Sequence, residues 1–161
     1  MKRLSLVRHG KSSWKHDLPD DKRPLKKRAY RDGDMVSKTY KEFYTPQAMF
    51  WSSPAVRALE TAKMFKEQLE VPDEYFKIKE SLYTFDEEDL LRIIKSCEDS
   101  IENLVVFGHN PAMTGLVNRL GDKGLDNLPT TGLCVIDFEV DSWKDIKKGK
   151  TLITLIPKEL R

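Results

Sequence analysis

Short apolar runs alternate with stretches of helical periodicity along this chain. Leu4-Ser5-Leu6-Val7 is the first such run, and Leu104-Val105-Val106-Phe107 is the most strongly apolar. Both have the composition of strands buried on two faces. Ala48-Met49-Phe50-Trp51 predicts another strand and Tyr75 to Ile78 a short one. Leu133 to Val140 and Thr151 to Ile156 predict the last two, joined through a turn around Trp143 to Gly149. Between the first two strands, Ala29, Gly33, Val36, Tyr40 and Phe43 recur at helical spacing from about Lys26 to Tyr44. Gly33 in that stripe is expected to mark a close approach to the sheet. Ser53 and Pro54 supply a cap and a first position for a helix that runs to Leu69 and is broken at Val71-Pro72-Asp73. Asp86 caps a helix to Cys97 with Leu90, Leu91 and Ile94 inward. Asn110 and Pro111 open one that buries Met113, Leu116, Val117 and Leu120. Lys11 to Pro24 is polar and carries two prolines, so it reads as a loop, as does Glu80 to Phe85. Strands alternating with helices predict an α/β sandwich around a mostly parallel sheet, one domain over residues 1–161.

Composition narrows the classes. The length suffices for a core without metals or disulfides. Net charge is +2, with basic residues scattered rather than striped, which argues against a nucleic-acid footprint. Lys22 to Arg31 is locally basic and reads first as a solvated helix face. Cys97 and Cys134 sit in apolar patterns and are too few for a disulfide framework or a cysteine zinc site. The run after Lys2 and Arg3 is too short for a signal sequence, and no stretch is long enough to span a bilayer. On these grounds the expected location is cytoplasmic.

Chemistry concentrates where strands end. The first strand ends in Arg8-His9-Gly10, Arg57 lies in the first turn of the helix after the second strand, and His109 follows the central strand. Open α/β sheets place ligands at such carboxyl edges. Two guanidiniums, two imidazoles and helix N-termini, with no carboxylate among them, suit a dianion, and phosphate is the obvious candidate. Each residue alone has a plainer reading, as a surface arginine or a structural histidine. His16, in the polar loop, reads as solvated. The joint placement at three corners carries the argument.

These residues resemble a known family. Leu6-Val7-Arg8-His9-Gly10-Lys11-Ser12 is similar to the Arg-His-Gly signature of the histidine phosphatase superfamily, whose fold is phosphoglycerate mutase-like. Ser53-Pro54-Ala55-Val56-Arg57-Ala58-Leu59-Glu60-Thr61-Ala62 resembles its second motif and Gly108-His109-Asn110-Pro111 its third. Arg23-Pro24-Leu25, Leu128-Pro129-Thr130-Thr131-Gly132 and Asp141-Ser142-Trp143 fit the short branch of SixA-type phosphohistidine phosphatases. The resemblance implies a three-layer α/β/α sandwich around a six-stranded mixed sheet, with no metal and no cofactor. It implies that Arg8, His9, Arg57 and His109 are catalytic, with phospho-His9 as the intermediate. Arg8, Arg57, His109, Ser12 and Asn110 would bind substrate.

The leaving-group acid is open among Glu80, Asp86 and Glu87, with Glu80 the first choice and the duller alternative a cap or a solvated surface charge. Lys15 stands where mutase-like members carry an asparagine after tryptophan, which argues against sugar-phosphate mutase activity. The short connections predict an open site that suits a phosphorylated side chain on a protein surface. Protein phosphohistidine is therefore the expected substrate, with a small phosphomonoester as the alternative and a silent phosphate-binding module as the rival. No nucleic-acid or membrane partner is expected.

Overall fold

The structure is a computed structural model that describes residues 1–161. Its centre is a strand whose alternate side chains are both buried. In β1 (Lys2–Arg8), Leu4 and Leu6 enter one apolar cluster and Val7 enters the other. Ser5, on the same face as Val7, shares a 2.7 Å hydrogen bond with Tyr40 Oη, so its buried hydroxyl is not left unpaired. β1 pairs in parallel with β4 (Asn103–Gly108) on one side and antiparallel with β5 (Leu133–Phe138) on the other. β2 (Met49–Ser52) joins β4 and β3 (Phe76–Ile78) in parallel, and β6 (Lys150–Leu155) closes the far edge antiparallel to β5. The order is β3-β2-β4-β1-β5-β6, a six-stranded mixed sheet.

Helices cover both faces. α1 (Lys27–Tyr40) and α2 (Val56–Leu69) pack with Val7, Phe50, Val105, Phe107 and Val135. α3 (Glu87–Lys95) and α4 (Ala112–Leu120) pack with Leu4, Leu6, Trp51, Val106 and Ile136. The result is the expected α/β/α sandwich. No helix is long and apolar enough to cross a membrane.

Several local expectations are corrected. Ser53 does not cap α2; Ala55 occupies the cap position, and the helix starts at Val56. The Ser53 hydroxyl instead lies 2.8 Å from His109 Nε2 and accepts the Ala55 amide at 3.2 Å. α4 likewise starts at Ala112, beyond a cis Asn110–Pro111 bond. Asn110 still serves its first turn, since Oδ1 accepts the Thr114 amide at 3.1 Å. Gly33 faces α2 rather than the sheet: a Cβ there would meet the Met64 thioether at 2.5–2.7 Å. A short helix, α5 (Pro157–Leu160), follows β6 and has no periodicity long enough to be seen in the sequence.

Phe107 is fully buried between Phe50 and Phe65, with ring centroids 5.7 and 5.2 Å away. Phe107→Ala should lower unfolding stability by about 3–5 kcal/mol in a urea titration. A loss below about 1 kcal/mol would mean that this face of the core is loosely packed.

Candidate active site

Backbone pairing delivers the first corner. Beyond β1, the His9 amide donates to Gly108 O at 3.1 Å, and the Arg8 amide donates to Gly132 O at 3.0 Å. The Thr131 amide binds back to the carbonyls of Arg8 and His9. Gly10 is required by close packing: a Cβ there would lie 2.9 Å from Ala29 Cβ, and its amide donates to Thr61 Oγ1 at 2.9 Å. The chain thus leaves the sheet over α1 and α2, with His9 facing Arg57.

The three corners meet. His9 and His109 have ring centroids 5.3 Å apart, and Arg57 Nε lies 3.4 Å from His9 Nε2. Arg8, His9, Ser12, Arg57 and Asn110 line one cavity of about 310 Å³, together with Lys11, Trp14, Asp20, Arg23, Phe85 and Thr130. His9 Nδ1 donates to Gly10 O at 2.7 Å, which assigns the proton to that nitrogen and leaves Nε2 to accept from Arg57 Nε at 3.4 Å. Burial pushes the His9 pKa down to about 4; the Gly10 carbonyl opposes this, and Arg57, Arg8 and Arg23 add to it. Burial, His9 and Arg57 together bring His109 down to about 3. Both rings are therefore neutral at physiological pH. His109 Nε2 is taken by Ser53, while its Nδ1 is buried with no protein partner.

The arginines are held differently. Arg57 is 2% exposed, and Nη1 and Nη2 donate to the Asp20 carbonyl at 2.6 Å and carboxylate at 2.9 Å. Arg8 is half-buried and donates through Nη1 to Leu128 O at 3.0 Å, leaving Nε buried and unpartnered. Burial, and then the Arg57 charge, lower the Arg8 pKa from its ordinary value. This is a site short of negative charge.

The carboxylate expectation is corrected by where the residues lie. Glu80 is exposed in a 3-10 turn (Glu80–Leu82) and does not line the cavity. Asp86 caps α3 by accepting the Asp89 amide, and Glu87 pairs with Arg119. The carboxylate at the cavity is Asp20, from the loop after β1. Ser12 bridges to Leu25 and closes that loop on itself, so a 3-10 turn at Asp20–Lys22 swings back over Arg57. Asp20 also accepts from Tyr83 Oη at 2.5 Å and Arg23 Nε at 3.3 Å. Its partial burial raises its pKa, but Tyr83, Arg57 and Arg23 outweigh that and hold it at about 2. Ser12 Oγ accepts from Arg23 Nη1 at 2.9 Å. The Asn110 amide group is spent on Asn127, Leu128 and Thr114, so it braces the wall from within. His16 is exposed. No group of three or more His, Cys, Asp or Glu side chains is placed to hold a metal ion.

Residues 4–82 match the model of the histidine phosphatase superfamily, branch 1. That segment carries Arg8-His9-Gly10 and Arg57, so this part of the chain is similar to that superfamily at both corners. An uncharacterised protein of Mycobacterium leprae is 25% identical over 144 residues, 81% of this chain and 86% of its own. Among solved structures, the protein histidine phosphatase SixA complexed with tungstate superposes with a TM-score of 0.82 at 17% identity, covering 99% of each chain. An Agrobacterium tumefaciens chain assigned as SixA gives 0.81 at 21% identity, covering 97% of this chain and 98% of its own. Mycobacterial glucosyl-3-phosphoglycerate phosphatase gives 0.67 at 10% identity over 95% and 98%. At such identities these likenesses establish the fold.

Both imidazoles protonate more readily in the unfolded chain, near 6.5, than in the fold. Between those values the unfolded state binds more protons, so stability rises with pH across that window. The thermal midpoint should therefore fall as pH drops from about 7 to about 5, and the pair His9→Asn and His109→Asn should flatten that slope. An unchanged slope in the double variant would show that the two rings titrate normally.

Proposed function

We propose that this protein is a phosphatase that carries the phosphoryl group on His9, with phosphohistidine borne by a protein as its substrate. The observation that supports this best is the state of His9. Its Nδ1 proton is fixed on Gly10 O, its ring is neutral, and its unprotonated Nε2 accepts a long hydrogen bond from Arg57 Nε, 3.4 Å. A neutral imidazole so held is a competent nucleophile, and fixed guanidiniums stabilise charge developing on the transferring oxygens. The buried unpartnered Arg8 Nε is a further donor suited to an oxyanion.

In the first step His9 Nε2 forms a bond to phosphorus, and the bond from phosphorus to the substrate nitrogen breaks; the electron pair stays with the leaving ring, which departs as neutral imidazole because its other nitrogen already carries a proton. In the second step water attacks phosphorus and the bond to Nε2 breaks, returning neutral His9 and inorganic phosphate. Asp20, held near 2, is ionised at neutral pH and has no proton to give the leaving group. That favours an imidazole, which departs without a strong acid, over an alkoxide, which needs one. A small phosphomonoester is the second reading; the fold likeness to glucosyl-3-phosphoglycerate phosphatase favours it.

His9→Ala should abolish turnover and the acid-labile phosphoryl label. Arg57→Gln should lower kcat by about 10²–10³. Phosphate release from a phosphohistidine protein, an aryl phosphate and a sugar phosphate at equal concentration ranks the substrates. A clear preference for the sugar phosphate overturns the phosphohistidine assignment. Near-normal turnover by His9→Ala overturns the nucleophile, and phosphate binding without release identifies a silent binding module.

A further inference from the structure

Two partly exposed aromatic side chains line the cavity, one stacked on a cation and the other braced at steep angles by neighbouring rings. Trp14 is 76% exposed, and its ring lies on the Arg23 guanidinium, 3.5 Å from centroid to the central carbon. Arg23 is itself buried and pinned by Ser12 Oγ and the Asp20 carboxylate. Phe85 is 46% exposed and is backed by His109, with centroids 5.4 Å apart, and by Tyr83 at 5.6 Å. Both line the cavity that holds Arg8, His9 and Arg57. Neither ring belongs to the two apolar clusters of the core.

Leaving an indole in water forgoes the burial that normally stabilises it, so its exposed placement on Arg23 calls for an explanation outside folding. Trp14 is fixed from behind by a stacked cation, and Phe85 by two aromatic neighbours, as in a stacking platform. In-line attack by His9 Nε2 places the leaving group on the far side of phosphorus, toward the mouth of the cavity. The group that meets these rings is therefore the one bonded directly to phosphorus.

We propose that Trp14 and Phe85 are specificity-determining residues that receive a planar ring bearing the phosphoryl group. The site then favours phosphate carried on imidazole or aryl rings over phosphate carried on alkyl or sugar chains. This rests on the phosphatase reading for the identity of the anion; the stacking itself requires only that a phosphonate or phosphate enter the cavity.

Phenylphosphonate and methylphosphonate separate the ring from the charge, since both present the same anion and neither is hydrolysed. Calorimetric titration of the native protein should give phenylphosphonate an affinity about tenfold or more above that of methylphosphonate. Trp14→Ala and Phe85→Ala should each bring that ratio below about threefold, while Trp14→Phe retains most of it. A substitution that merely disturbs Arg23 or the loop weakens both ligands equally and leaves the ratio intact. That result overturns the proposal, as does a native ratio near one or a failure of both phosphonates to bind. Failure of the underlying phosphatase reading is seen separately, as no phosphate release from a phosphohistidine peptide by a protein that still shows the phosphonate preference.

Discussion

Positive charge gathered beside an uncharged imidazole is the constraint on which this structure depends. Arg57 is buried and Arg8 half-buried, and burial first, with these charges adding to it, keeps His9 and His109 neutral. Burying like charges together is unfavourable unless an anion offsets them. Asp20 does so in part, through one carboxylate and one carbonyl on Arg57. Arg8 Nε has no such partner.

The sheet makes this possible by distributing the load. β1 and β4 lie side by side, so Arg8 pairs with Gly108 in register and His9 and His109 emerge at the same edge. α2 then returns from β2 over that edge and brings Arg57 in from the other strand neighbour. Each cation thus arrives on a separate, rigid element, and the apolar clusters on both faces fix their spacing. Ser53 shows how local preferences yield to this arrangement. Its hydroxyl could cap a helix, but it is committed to His109, and the helix begins later without a side-chain cap.

The parts that could be read from sequence are those governed by short-range periodicity. Apolar runs located the strands, and each strand end carried its Arg or His into view. The anion-binding reading followed from residue types at strand ends, and those side chains do converge. Asp20 escaped because three aspartates share its loop, and nothing local distinguishes them. Its position is set by the Ser12–Leu25 bridge and by Tyr83, contacts that are distant along the chain. Glu80 invited attention by its place after the third strand, yet a 3-10 turn faces it to solvent. The aromatic rim escaped for the same reason as Asp20: Trp14 and Phe85 meet the cavity only through tertiary packing.

A crystal soaked in vanadate tests the central claim most directly. Vanadium should bond to His9 Nε2 opposite an outward oxygen, with its equatorial oxygens taking donors from Arg8 and Arg57. Vanadate bound elsewhere, or bound only to Arg23 and Lys11 with His9 untouched, would show that the gathered cations serve a different anion and that His9 is not the acceptor.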